Sequence, residues 1–400
     1  MDTIPPYAIK RRTAFADIIV PTIDSVRYTY MLDVLLQAGS HVLCVGPTGT
    51  GKSSIVGDKV IKHMDKNFES IVVTFSAQTS ENMTQDILDS KFTRRRRTQY
   101  GPPAGKRFVI FVDDLNMPAK DEYGSQGPIE LLRQWMDHGG WYDRSSLTFL
   151  EIVDIVFVGA LGPPGGGRSA MTPRFKRHFN LLSFTELSRE SMSRVFTTIM
   201  DSFFGSFVPE VASLTKSVVE GTISVYASIQ AELRPTPSRS HYTYNLRDLS
   251  KVVEGVVQAS REAVQSRAEL VALWAHECTR VFHDRLVDAH DREWFKGELK
   301  KIMASQFGMR WLDVAKDLGL AARSSSSAAG AVSGAELDDV VFADFLVPNA
   351  DPKVYARVED MSVLLRVVEE YLEEYNATQE NPMNLVMFND AIAHISRIVR

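Results

Sequence analysis

The chain has 400 residues, 44% hydrophobic and 24% charged, enough apolar material for two or three packed domains and too balanced for a disordered or fibrous protein. A formal charge of −5 and a sequence pI near 6.0 argue against a general nucleic-acid binder, and the short basic run Arg94–Arg97 reads as a solvated loop. Cys44 and Cys278, far apart in sequence, exclude a disulfide scaffold and favour a reducing compartment, and no stretch reaches the ~18 apolar residues of a membrane span.

In chain order, a lead-in helix over Val26–Leu36 precedes β-rich apolar runs at 41–45, 71–75, 108–112, 152–160 and Phe179–Phe184. Helical periodicity separates them, which predicts an α/β fold with a parallel five-stranded sheet flanked by helices. From Ser188 the strands stop, and amphipathic helices, marked by Val252, Val253, Val256 and Val257, predict an all-helical unit to about residue 310. Residues 323–336, rich in serine and alanine, have little to bury and read as a flexible linker. A further helical stripe comes at Val363, Leu364, Val367, Tyr371 and Leu372. With no strand-loop motif behind it, the end reads as an interrupted domain.

The first strand runs directly into Gly46-Pro-Thr-Gly-Thr-Gly-Lys-Ser53. A glycine-rich turn between strand and helix aims successive backbone N–H groups at a polyphosphate lying at the positive end of the helix dipole. Gly46, Pro47, Thr48, Gly49, Thr50, Gly51, Lys52, Ser53 and Ser54 are therefore the candidate binders of ATP or ADP. Lys52 is placed to reach the outer phosphates, and Ser53 offers its hydroxyl to Mg²⁺. The strand ending Val109-Ile-Phe-Val112 delivers Asp113, a candidate Mg²⁺ ligand through water, and Asp114, a candidate general base. His276, His283 and His290 recur every seven residues, too far apart for shared zinc ligation, and read as a solvated helical stripe. The run Gly162–Arg168 lacks a following lysine and helix, and reads as a mobile insertion loop.

These motifs, with Phe111-Val-Asp-Asp-Leu-Asn-Met-Pro118, Pro128–Trp135, Gly162-Pro-Pro-Gly-Gly-Gly-Arg168, Thr172-Pro-Arg-Phe-Lys-Arg-His-Phe-Asn180 and Asn245-Leu-Arg-Asp-Leu-Ser250, resemble the AAA+ ATPases and, within them, the dynein heavy chains. The pattern is most similar to the third of the six modules in the axonemal form, with 351–400 like the start of the fourth. The resemblance implies an AAA+ large subdomain over 1–185, a helical lid over 186–320, a linker over 321–350 and lead-in helices over 351–400. It also implies neighbouring AAA+ modules as partners. Intermediate and light chains and microtubules would be reached through other regions, with no nucleic acid and no membrane, in the cytoplasm and the axonemal cytoskeleton of a cilium or flagellum.

By the same resemblance, Arg174 and Arg177 match the arginine fingers that act on a neighbouring module, and Arg247 matches the lid arginine that contacts the outer phosphates. Pro47, Thr48 and the backbone of Ile18–Thr22 would surround the adenine. Two departures bear on hydrolysis. Asp114 stands where the family usually has glutamate, and Gly162 fills the polar position after the fourth strand. The expectation is a regulatory site that binds tightly and hydrolyses slowly. The alternatives are a self-assembling active AAA+ ATPase that remodels protein or nucleic acid, and a nucleotide-independent scaffold.

Overall fold

A computed structural model describes residues 7–9, 13–320, 336–347, 350–351, 353–379 and 381–399. They separate into two units, one built on Pro21–Ser188 and the other on Arg189 onward together with the segment that ends at Val20.

The first unit is centred on β1 (Val42–Val45), β2 (Phe68–Thr74), β3 (Arg107–Asp113), β4 (Ile155–Leu161) and β5 (Asn180–Ser183), ordered β2-β3-β4-β1-β5 with every pair parallel. Alternation along β3 sends Phe108, Ile110 and Val112 into one apolar cluster and Val109 and Phe111 into the other, so both faces of the sheet are covered. The covering helices are α1 (Ile23–Gln37), α2 (Lys52–Lys62), α3 (Glu81–Asp89), α4 (Gly127–His138) and the short α5 (Pro173–Lys176). Thr22 and Ser25 form a reciprocal capping box that fixes where α1 begins. This is the α/β architecture expected from the apolar runs. Because β3, β4 and β1 are neighbours and parallel, the loops leaving their C-terminal ends share one edge of the sheet, where ligands bind in open α/β folds.

The run expected as one strand over 152–160 is divided. Asp154, at φ 57, turns the chain before β4 begins at Ile155, and Phe149–Ile152 joins a separate four-stranded sheet with Thr93–Arg94, Gln99–Gly101 and Gly140–Tyr142. The basic run lies in the first hairpin of that sheet, where Arg95 is pinned by Asp154 at 2.5 Å and donates to the Pro102 carbonyl at 2.8 Å.

The second unit contains α6 (Arg189–Phe204), α7 (Pro209–Ala212), α8 (Thr215–Glu232), α9 (Leu246–Val257), α10 (Arg267–Cys278), α11 (Ala289–Phe307) and α12 (Trp311–Asp317), then α13 (Met361–Thr378) and α14 (Asn389–Val399). Its core gathers Trp274, Phe282, Phe295, Met303 and Phe307, and α10 is buried on all sides from Leu270 to Cys278. The expected linker over 321–350 has its first part, 321–335, outside the described residues. Farther on, the apolar run Val340, Val341, Phe342, Ala343 and Phe345 is buried, and Phe342–Ala343 pairs antiparallel with Ala356–Arg357, a short strand pair that periodicity does not announce.

Glu277 on α10 is fully buried and receives the Tyr355 hydroxyl at 2.6 Å and Arg280 Nε at 3.0 Å. Gly255 on α9 makes the room, since a Cβ there would lie 2.0 Å from the carboxylate. The adjacent His276 bonds through Nδ1 to the Val340 carbonyl at 3.0 Å, and burial lowers its pKa to about 4. The expected solvated histidine stripe does not form. α10 runs into a π-helical turn, Thr279–His283, so His276, His283 and His290 fall on three different elements, and the first two are buried. Among the described residues no helix is long and apolar enough to cross a membrane.

Candidate nucleotide-binding site

The loop after β1 is shaped by its glycines. A Cβ at Gly46 would lie 2.2 Å from the carbonyl oxygen of Phe184, so only glycine lets the loop pass that close to the chain after β5. Gly49 and Gly51 have φ of 84 and 79, the left-handed region that side chains disfavour. Gly51 is also the N-cap of α2 and supplies no side-chain bond, which leaves the first N–H groups of that helix facing the loop. Ser53 and Ser54 occupy that first turn, Ser53 half-buried and Ser54 exposed, while Pro47 and Thr48 are exposed on the loop.

Lys52 is 8% exposed and folds back into the loop, where Nζ donates to the carbonyls of Gly46 (2.8 Å) and Pro47 (2.6 Å) and to Thr50 Oγ1 (3.3 Å). All three ammonium donors thus have acceptors within the loop. Burial draws the Lys52 pKa below the ordinary lysine range, opposed by the nearby carboxylates of Asp113 and Asp114 and reinforced by Arg168. The neighbouring parallel strands β1, β3 and β4 thus deliver an ammonium, two carboxylates and, from the loop after β4, a guanidinium at one edge of the sheet.

Asp113 ends β3 and accepts the Asp114 N–H on Oδ1 at 3.0 Å. Asp114 itself sits at φ 50, a conformation that Asp adopts more readily than most residues. Its Oδ1 is 3.3 Å from Arg168 Nη2. That arginine is a site residue that the sequence motifs alone do not mark. It is carried by the Gly162–Arg168 run, which is a tight closed turn rather than the expected mobile insertion. Gly165 and Arg168 exchange backbone hydrogen bonds at 3.0 and 3.1 Å around Gly166 and Gly167, whose φ values of 58 and 86 fit a type I′ turn. Asn116, 1% exposed, ties both ends of the run: Nδ2 donates to the carbonyls of Gly162 (2.9 Å) and Ser169 (3.2 Å), and its backbone carbonyl accepts the Ser169 N–H. The sequence signal that could have found Arg168 is its place immediately after a Gly-Gly pair with I′ potential, which folds the next residue back toward the strand end.

The remaining candidates belong to other elements. Arg174 on α5 is exposed and makes no hydrogen bond or ion pair among the described residues. Arg177, at the end of α5, pairs with Asp137 of α4, which Arg133 and His178 also approach at 2.8 and 2.9 Å. Arg247 belongs to the helical unit, exposed in the first turn of α9, where its N–H is capped by Asn245 Oδ1 at 2.8 Å. Ile18 and Val20 pack with the helical core of the second unit.

The residues present fit a nucleotide polyphosphate. A cradle that a Cβ at Gly46 would fill, two left-handed glycines, a helix start without a side-chain cap and a buried ammonium all converge on the loop. For Mg²⁺, a hard cation, the matching oxygen donors are the Ser53 hydroxyl and the Asp113 carboxylate.

Residues 7–187 match the family model described as P-loop containing dynein motor region, and residues 179–292 the model described as dynein heavy chain, ATPase lid domain. The chain is 44% identical over 413 residues to dynein axonemal heavy chain 1 of Homo sapiens, which covers all of this chain and 9% of that protein. It is 41% identical over 395 residues to dynein axonemal heavy chain 12 of Rattus norvegicus, covering 98% of this chain and 12% of that protein, and 42% identical over 401 residues to dynein axonemal heavy chain 3 of Mus musculus, covering 100% and 10%. The chain thus spans about a tenth of the length of these curated relatives. With a P-loop sheet unit and an ATPase lid side by side in its sequence, the chain belongs to the dynein heavy chain family, as a piece of its motor region.

Proposed function

We propose that the chain is an ATP-binding AAA+ module of an axonemal dynein heavy chain, the third of its six with the start of the fourth, in a microtubule motor of the cilium or flagellum. On this reading residues 1–185 are the large subdomain, 186–320 the lid, and 321–350 the connection to the lead-in helices at 351–400. The observation that carries it is the Gly46–Ser53 loop with Lys52 folded into it at the head of α2. ATP or ADP is held by that loop, and Ser53 and Asp113 are the residues that would hold Mg²⁺, which supplies charge neutralisation at the phosphates.

The site is regulatory on the same reading, setting ring geometry more than driving the stroke. Asp114 is one methylene shorter than the family's usual glutamate, and a carboxylate misplaced by ~1 Å can cost on the order of 10²-fold in rate. Its Oδ1 is also engaged by Arg168, and Gly162 has no side chain with which to place a water. Arg247 would contact the outer phosphates from the lid, coupling nucleotide state to lid position, while Arg174 and Arg177 would serve the preceding module. Neighbouring modules of the same heavy chain are the direct partners. Intermediate and light chains and microtubules are reached through regions outside this chain.

The test is the nucleotide content of the gently purified chain, calorimetry with Mg²⁺ and ATP, and single-turnover hydrolysis of the wild type and Asp114→Glu. Bound nucleotide with slow turnover supports the reading, and a faster Asp114→Glu supports the short-carboxylate argument. Zero heat together with no thermal upshift removes the nucleotide reading, and an unchanged Asp114→Glu rate removes the explanation for slowness.

A further inference from the structure

The side chain missing at Gly162 leaves a space, and the structure fills it from the next turn. A Cβ on Gly162 would lie 3.1 Å from both Cδ and Nε of Arg168, so the arginine packs where a polar residue at position 162 would project. Its guanidinium then reaches Asp114 at 3.3 Å and is close enough to Lys52 to push down the affinity of that amine for its proton. Arg168 Nε is buried and has no hydrogen-bond partner among the described residues. An unpaired buried N–H is unfavourable, so the protein partners of this guanidinium leave part of its hydrogen-bonding capacity unmet.

Several features make the placement specific. The type I′ turn returns the chain on itself in four residues, and Asn116 clamps both ends of the run, so the arginine is delivered from a fixed base. Guanidinium has five N–H donors in a planar fork, which lets it keep the Asp114 carboxylate and donate to a phosphate oxygen from another edge.

We propose that Arg168 takes over the role left open at Gly162: it senses the outer phosphate of a bound triphosphate and positions the Asp114 carboxylate. The assignment rests on the nucleotide reading above and deepens it, because it gives the site a means of telling ATP from ADP within its own sheet unit. Arg168 acts on catalysis through Asp114, as a positioning residue, and on binding directly.

The test uses the full 400-residue chain with Mg²⁺, measuring ATP and ADP affinities and single-turnover hydrolysis for Arg168→Ala, Arg168→Lys, and Gly162→Asn combined with Arg168→Ala. Arg168→Ala is expected to weaken ATP about tenfold or more, the size of one charge-assisted hydrogen bond, and to leave ADP within about twofold. Arg168→Lys retains part of the ATP preference. The double variant recovers part of it as well, because removing the arginine opens the space that an amide at 162 needs; a double-mutant cycle reads that coupling. Equal losses for ATP and ADP, or no loss for either in a chain with an unchanged melting curve, overturn the proposal. A wild type that binds neither nucleotide overturns the nucleotide reading as well, which separates that failure from a wild type that binds but is indifferent to residue 168.

Discussion

Glycine-rich loops leave both β1 and β4, strands hydrogen-bonded side by side in one sheet, and their outcomes diverge. The loop from Gly46 opens a helix, so its glycines admit close backbone approach and its amides converge on a point. The loop from Gly162 meets no helix and closes on itself through Gly165 and Arg168, so its later glycines reverse the chain and return one side chain to the space that Gly162 leaves. Glycine content is therefore a poor guide to the chemistry. The element entered after the last glycine decides it: a helix start makes an anion cradle, whereas a reversed strand makes a side-chain mount.

The difference between the loops is most exposed to test at Lys52. Lys52→Ala is expected to lower ATP affinity on the order of 100-fold, through loss of a buried charged donor to phosphate, while Gly166→Ala leaves affinity within about twofold. Equal losses from the two changes, measured by calorimetry, would erase the distinction. Stability should separate them next. Gly46→Ala forces a Cβ to within 2.2 Å of the Phe184 carbonyl, a backbone atom that cannot rotate away, and should cost about 3 kcal/mol in denaturant unfolding.

His41 tests the base the two loops share. It precedes β1 and its Nδ1 accepts the Phe157 N–H of β4 at 3.0 Å, while burial, aided by His178, lowers its pKa from 6.5 to about 4. The unfolded chain therefore takes up a proton that the native state resists. Stability from this group is complete above about pH 6.5 and falls as pH drops toward about 4, at up to about 1.4 kcal/mol per pH unit. His41→Asn, which keeps an acceptor, should flatten that part of the pH–stability profile, and an unaltered slope would remove His41 from the account. Smaller still, Gly166→Ala should cost about 1 kcal/mol, since φ 58 is disfavoured for alanine but the space around it is open. Outside both loops, Arg177→Ala should change stability by less than about 1 kcal/mol, because an ion pair with a largely exposed arginine contributes little.

The first loop was legible because all its information is local: eight consecutive residues behind an apolar strand define its path, its charge and its ligand class. The five strands were legible for the same reason, each a short apolar run, with β3 and β4 buried along almost their whole length. Arg168 was not, because its meaning depends on a gap at Gly162 and a carboxylate at Asp114 that only the fold brings to it. The four-stranded side sheet was missed because its strands are two to four residues long and pair across gaps of up to about fifty residues, beyond what periodicity can report. His276 was misjudged as solvated because a π-helical turn and the distant Val340 carbonyl, neither readable from a seven-residue spacing, bury it.

The buried Glu277 carboxylate has a practical bearing on how the helical unit can be cut out for study. The match to the lid family stops at residue 292, yet one hydrogen-bond donor to that carboxylate is the hydroxyl of Tyr355. Trimming at the family boundary would strip a donor from a carboxyl group inside an apolar interior, a loss on the order of 1–3 kcal/mol for a group that cannot reach water. Expression limits drawn from homology alone would yield a soft, aggregation-prone bundle. Limits placed past Arg357, keeping the short antiparallel pair with Phe342–Ala343, preserve the internal plug that closes it.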